Sequence, residues 1–324
     1  MHSFEITSPE VTVVSIGQDL ATKTNDLSRY LDEFLTELDI KENSRATYNR
    51  AIIKFFSFMS GNNNQPTSYD ILAYKRHLES LDLAAYTITA YLVVVRRFFA
   101  WTESKRIYPD IAKTIKGMRR PNGFRKDPLT MEQTKDVING IDINTLQGKR
   151  DFAIINLLVR TGLRTIEIQR ANIGDINQSG GVSKLHIQGK GRNTKDDYVL
   201  LTGTSLKPIL SYLQHRGEQK DSDPLFTSIS DRNNGQRMTT RSLSRIVKEA
   251  LSSAGISSKR LTAHSLRHTA ITTALLAGAS LQEVKTMARH ADINTTLIYS
   301  HNIERVVNGA EYKIDKYMED IQVI

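Results

Sequence analysis

The chain has 324 residues, room for two domains of ordinary size, and with 39% apolar and 24% charged residues it is a folding chain and not a disordered one. Its 44 Lys and Arg against 35 Asp and Glu give a formal charge of +9, a surplus that suits a polyanion whose counterions are released on binding. It has no cysteine, which excludes a disulfide framework, a Cys-ligated zinc site and a thiol nucleophile.

Residues 1–25 mix Ser, Thr and short apolar runs without periodicity and read as a weakly ordered arm, with a short strand at Val11–Ile16. They lack the basic start and long apolar run of a secretory signal. No stretch approaches the roughly 18–20 apolar residues that span a bilayer, so a soluble cytoplasmic protein is expected. From Asp26, the residues Leu27, Tyr30, Leu31, Phe34, Leu35 and Leu38 recur at helical steps and make one apolar face. A second helix is predicted from Ser44, whose hydroxyl can cap it, through Tyr48, Ile52, Phe55, Phe56 and Met59. Gly61, three asparagines and Pro66 then break the chain. A third helix starts at about Ser68 and a fourth near Tyr86, the latter carrying Ile88, Leu92, Val95, Phe98 and Phe99. Residues 26–112 are therefore expected to form an all-α domain of short-looped helices.

Residues 113–126 (KTIKGMRRPNGFRK) hold six basic residues and no acidic one, with Gly117, Pro121 and Gly123 among them. This predicts an extended, mobile linker whose cations, including Arg119, Arg120, Arg125 and Lys126, track a nucleic-acid backbone. A second domain, 127–308, follows. Helices are predicted at Leu129–Gly140, Gly148–Thr161, Leu206–His215, Thr240–Ala254, Ser265–Ala277, Leu281–Ala288 and near Thr295–Tyr299. Lys184–Ile187 and Tyr198–Leu201 read as two strands of a hairpin. The predicted fold class is mainly α with a small antiparallel β-sheet. In the tail, 309–324, Ile314, Tyr317, Met318 and Ile321 recur at helical steps, a pattern suited to docking on a neighbouring subunit.

Four pieces of the second domain carry chemistry. In Thr161-Gly162-Leu163-Arg164, a glycine closes an apolar helix and Arg164 sits at the start of the next, where guanidinium and helix terminus can face one anion. In Gly189-Lys190-Gly191 a lysine is flanked by glycines that let the backbone approach a ligand. In His264-Ser265-Leu266-Arg267-His268, helical spacing puts His264 and Arg267 on one face, able to hold adjacent oxygens of one phosphate. His264 and His268, four apart, lack the Glu that a zinc-protease helix requires after its first His, so no metal site is expected. The fourth piece runs from His290 to Tyr299, which in isolation is an ordinary aromatic near the end of a domain.

Together, and in this order, the four pieces resemble the tyrosine recombinase (lambda-integrase-like, or phage integrase) family, its Xer recombinases and mobile-element integrases above all. The resemblance extends over nearly the whole chain and implies a helical core-binding domain followed by an α+β catalytic domain. It implies that Arg164, Lys190, His264, Arg267, His290 and Tyr299 form the active site, Tyr299 being the nucleophile. Glu167 stands where the family often has an acidic brace, and His268 is expected to have a packing or structural role. The implied reaction is site-specific strand exchange through a 3′-phosphotyrosyl link and a Holliday junction, with no cofactor, metal or ATP. In it Arg164 and Arg267 stabilise the phosphate, His264 acts as general base, Lys190 as general acid, and His290 donates a hydrogen bond. The implied partners are double-stranded DNA with paired inverted core sites and further copies of the chain, a homotetramer on DNA from a free monomer, in the nucleoid and away from membranes. Arg45, Tyr48, Asn49 and Arg50, or Tyr86, Thr87 and Thr89, are the candidate readers of the core site. A type IB topoisomerase and a basic DNA-binding regulator without chemistry are the rival readings. An arm before Asp26, and Arg289 where Xer proteins tend to have Gly, lean towards a mobile-element integrase without excluding a chromosome-dimer resolvase.

Overall fold

A computed structural model describes residues 26–60, 65–119, 127–189 and 191–319. The arm with its Val11–Ile16 strand, Arg120, Arg125, Lys126, Lys190 and Ile321 lie outside the described residues. The chain divides into two compact units, residues 1–122 and 123–324.

In the first unit a 3₁₀ turn at Asp26–Tyr30 leads into α1 (Leu31–Glu37), which buries Phe34 and Leu35. Helix α2 (Glu42–Met59) starts two residues ahead of Ser44, with Lys41 at the cap and the Glu42 carboxylate in the positive first turn. Helix α3 (Ser68–Ser80) opens on a capping box in which Asp70 accepts the Thr67 backbone N–H at 2.7 Å. Helix α4 (Ala85–Ser104) supplies the centre of the core, where Phe98 and Phe99 are fully buried. Phe34 meets Phe98 edge-on at 5.3 Å, and Phe55 meets Tyr74 likewise at 5.2 Å, the geometry that aromatic quadrupoles favour. Glu37 accepts from Trp101 Nε1 at 2.8 Å and pairs with Lys105, tying α1 to α4.

The first half of the predicted linker belongs to this unit. Ile115 is buried, Met118 packs on the core, and the Met118 N–H donates to the Thr89 hydroxyl at 3.1 Å. Three of the seven residues 113–119 are basic, but the two apolar ones between them decide where the segment lies.

The second unit starts with α5 (Met131–Asn139), capped by Thr130, and α6 (Leu146–Thr161), whose Ile154, Ile155, Leu157 and Leu158 are buried in the unit's core. A short α7 (Thr165–Arg170) leads to a three-stranded antiparallel sheet, β1 (Ile176–Ser179), β2 (Val182–Ile187) and β3 (Asp197–Leu201), in that spatial order. Leu185 pairs with Ile176 on one side and Val199 on the other, and Leu185, Ile187, Val199 and Leu201 turn one face to the core. The expected small sheet is present, with β1 as a third strand that the sequence reading did not include.

Helices α8 (Gly203–Arg216), α9 (Thr240–Ser253), α10 (Ala263–Leu276), α11 (Leu281–Ala288), α12 (Asn294–Val307) and α13 (Ala310–Tyr317) complete the unit. Pro208 inside α8 removes the N–H that would reach the Thr204 carbonyl, and Asn156 Nδ2 donates to that carbonyl instead at 2.8 Å. Among the described residues no helix is long and apolar enough to cross a membrane.

Candidate active site

The α6–α7 turn sets the first cation. Gly162 ends α6 at φ 61°, a left-handed cap that glycine adopts without strain, and Arg164 follows as the N-cap of α7. Glu167, 1% exposed, accepts from the Arg164 backbone N–H at 2.7 Å and from its Nη1 at 2.9 Å. The same carboxylate accepts from Arg289 Nη2 at 3.0 Å, so one buried anion holds two guanidiniums.

Helix α10 brings the second pair. Arg267 is buried and its guanidinium donates to the carbonyls of Gly162 and Ala288, which locks α10 to the α6–α7 turn and to the end of α11. Burial, then the neighbouring Arg164 and Arg289, push its pKa down to about 9, and Glu167 opposes them. It is still a cation at neutral pH. His264, one turn earlier, has a solvent-exposed side. Desolvation of its inner face, then Arg267 and Arg164, lower its pKa.

Tyr299 closes the group from α12. Its side chain is buried, its ring stacks on His290 at 6.2 Å, and its hydroxyl lies 2.7 Å from His268 Nδ1. The His264 and His268 rings meet edge-on at 4.8 Å. Burial pushes the Tyr299 phenol up to about 12, against the pull of Arg267 and Arg164. His290 Nδ1 lies 2.9 Å from the buried Thr296 hydroxyl, which orients the ring. Burial first, and then nearby guanidiniums, bring the pKa of His290 down to about 4; for His268 the order is burial, His264 and Arg267, also to about 4. Three guanidiniums, three imidazoles and a phenol thus gather at a site with one buried carboxylate, which leaves it a surplus of positive charge and a hydroxyl inside it.

This second unit matches the phage integrase family over residues 128–305. The chain is 31% identical over 273 residues to "Tyrosine recombinase XerA" of Pyrococcus furiosus, covering 84% of this chain and 89% of that one. The chain belongs to the phage integrase family of tyrosine recombinases. It is also 28% identical over 295 residues to "Tyrosine recombinase slr0733" of Synechocystis, with 86% of this chain and 93% of that one covered. Its fold is similar to the XerH site-specific recombinase bound to palindromic difH substrate, with a TM-score of 0.70 and 20% identity over 90% of this chain and 88% of that one. The Tn1549 transposon integrase, solved with a circular intermediate DNA, gives the same TM-score at 15% identity over 90% and 98% of the two chains.

In this integrase-family chain the structure brings Arg164, Glu167, His264, Arg267, His268, His290 and Tyr299 into one constellation, while Lys190 lies outside the described residues. Arg170 Nη1 donates to the Gly189 carbonyl at 3.1 Å, which fixes the near side of the β2–β3 turn to the end of α7. Arg289 is the member that sequence reasoning did not include. It sits at φ 54° as the cap of α11, in a backbone conformation usually taken by glycine, and its side chain is 7% exposed. A bulky residue where glycine is expected, between the end of an apolar helix and His290, is the available signal.

The first unit places the other expected residues on helix surfaces. Tyr48 is partly buried, and its hydroxyl accepts from Arg97 at 2.8 Å, which makes it a strut between α2 and α4 as well as a candidate contact. Arg45 is partly buried beside Glu42, Arg50 and Tyr86 are exposed, and Asn49 and Thr87 are half-buried. Thr89 is engaged inside the unit by Ala85 and Met118. Arg119 is exposed.

Proposed function

We propose that the chain is a site-specific DNA recombinase in which Tyr299 attacks a DNA phosphodiester and stays joined to its 3′-phosphate. The observation that carries this reading is the Tyr299 hydroxyl held beside three guanidiniums, two of which, those of Arg164 and Arg289, share the Glu167 carboxylate while that of Arg267 is held by backbone carbonyls. Each unit charge about 4 Å from a phosphate oxygen is worth roughly 4 kcal/mol at an effective dielectric near 20, so the cluster favours an anion. Arg164 and Arg267 serve the non-bridging oxygens and offset the charge that builds in the pentacoordinate transition state. Neutral His290 donates to a phosphate oxygen, and His264 binds the phosphate from its exposed side. Lys190 protonates the departing 5′-oxygen, the role that its place in Gly-Lys-Gly suits. Glu167 holds Arg164 and Arg289 in register.

The freed 5′-hydroxyl of a partner strand then attacks the phosphotyrosyl link and strands exchange through a Holliday junction. Each step replaces one phosphodiester by another, so neither metal nor ATP is needed. The substrate is double-stranded DNA carrying paired inverted core sites, met by a monomer that assembles into a homotetramer, in the cytoplasm at the nucleoid. The palindromic duplex in the XerH structure supports paired sites. Arg45, Asn49, Arg50, Tyr86, Thr87 and the linker cations serve DNA contact in the helical unit. Helix α13 and the Met318 that follows it expose Tyr312, Ile314, Tyr317 and Met318, while a cavity of about 430 Å³ beside Tyr299 is walled by Leu276, Ile303 and Val306. A second copy's tail is the occupant such an apolar wall fits, so the tail docks in trans.

A supercoiled plasmid bearing two inverted core sites tests the class. Recombination gives inverted products that need both sites. Relaxation of a site-free plasmid without exchange would mark a topoisomerase, and tight binding that leaves every strand intact would mark a regulator.

A further inference from the structure

We propose that His268, through Nδ1, is the group that takes the proton from Tyr299 as its oxygen attacks phosphorus. The inference rests on Tyr299 being the nucleophile. It deepens that reading by assigning a base other than His264, to a residue that sequence reading gives a packing or structural role.

The geometry comes first. His268 Nδ1 lies 2.7 Å from the Tyr299 hydroxyl, within the reach a general base requires. The two rings sit 5.3 Å apart at 34°, and both residues are buried. A buried phenol O–H is costly without an acceptor, and a neutral imidazole with Nδ1 unprotonated supplies one. His264 stands one turn away with a solvent-exposed side, placed for the phosphate.

The charges facing His268 come from every packed element. On its own helix these are His264 and Arg267; His290 follows α11, Tyr299 lies on α12, and Asp127, paired with Arg260, lines the same cavity. Burial, His264, Arg267 and His290 hold the ring neutral, with Asp127 opposing them, so Nδ1 rests unprotonated. Before DNA binds, the phenol at about 12 keeps its proton against an imidazole at about 4. A bound phosphodiester sets a negative charge among the cations that depress the imidazole, which raises its proton affinity. As the Tyr299 Oη–P bond forms, the phenol loses basicity. The O–H bond breaks, an N–H bond forms on His268, the P–O5′ bond breaks, and the 5′-oxygen takes its proton from the general acid. In rejoining, the proton returns from His268 to the departing phenolate.

Single-turnover cleavage of nicked duplexes, which trap the covalent adduct, tests this across pH 6 to 10. The wild type and Tyr299→Phe are run first; if the wild type forms no adduct, or the Phe variant forms one, the nucleophile reading falls and this inference with it. In His268→Asn the amide oxygen can take the place of Nδ1 as hydrogen-bond acceptor and cannot take the proton. The expected result is unchanged DNA affinity, cleavage about 100-fold or more slower at pH 7, and a gap that narrows as rising pH ionises the phenol. His268→Gln should behave alike. Wild-type cleavage by the Asn variant would reduce His268 to a hydrogen-bond prop, and an equal loss at every pH would make its role structural; either overturns the proposal. The unmodified protein gives a check that needs no variant. The ¹⁵N shift of His268 Nδ1 should be that of an unprotonated nitrogen, and a protonated Nδ1 in the resting protein would also overturn it.

Discussion

Glu167 is the carboxylate on which two guanidiniums depend, and the two sides of that arrangement differ in what they leave behind when broken. Glu167→Gln removes the charge shared by Arg164 and the buried Arg289, whereas Arg289→Met leaves Glu167 still paired with the part-exposed Arg164. Orphaning a buried charge costs about 3–5 kcal/mol, so Glu167→Gln should fall in that range and Arg289→Met well below it, near 1–2 kcal/mol. Urea unfolding of both variants reads the order, and a reversed order would contradict the shared-anion account. The histidines set a second expectation. His268 and His290 are held at about 4, against about 6.5 in an unfolded chain. Above pH 6.5 neither state binds the proton. Between 6.5 and 4 the unfolded chain binds protons the folded one refuses, so stability falls on acidification and the loss levels below 4. His290→Gln should flatten part of that slope relative to the wild type. An unchanged slope would mean that His290 is not kept neutral by the fold.

Individual elements explain why some of this was legible and some was not. The core helices of both units are strongly patterned, because they bury an apolar stripe, and the starts at Ser68, Thr240 and Leu281 agree with the sequence reading. Strand β1 escaped because Ile176-Asn177-Gln178-Ser179 is an edge strand with a mostly exposed face, so it carries no apolar alternation. Its signal is the Gly180-Gly181 turn, both residues at positive φ, as a type I′ two-residue hairpin turn requires. The start of α2 was misplaced because a hydroxyl at Ser44 outweighed the Glu42 carboxylate in the reading, while the helix itself favours the acid in its first turn. The active-site order was readable from spacing, but the Arg289–Glu167 contact joins residues 122 apart, and only the packed fold brings them together. The α6–α7 turn yields its own prediction. Gly162→Ala has room for a methyl, with Ala270 Cβ 3.6 Å away, so its cost is the left-handed backbone, about 1–2 kcal/mol. Because the Gly162 carbonyl accepts from Arg267, cleavage should slow along with this loss of stability. Full cleavage activity in a destabilised Gly162→Ala protein would show that Arg267 does not depend on this turn.

At the scale of the whole molecule, the +9 surplus and the cationic site belong to one function, binding and reworking DNA. Deleting the residues after Asn308 should leave binding to one core site within about twofold and abolish cooperative assembly on paired sites, as gel-shift titration reads. Unchanged cooperativity would sink the docking of the tail in trans. The most direct test of the central claim is to map the covalent bond itself. Wild-type protein is trapped on nicked duplexes built from the DNA flanking the gene, digested, and the DNA-linked peptide identified by mass spectrometry. The account predicts a 3′-phosphate on Tyr299 and none in Tyr299→Phe that still binds. An adduct on Tyr312 or Tyr317, or tight binding that never becomes covalent, would contradict it.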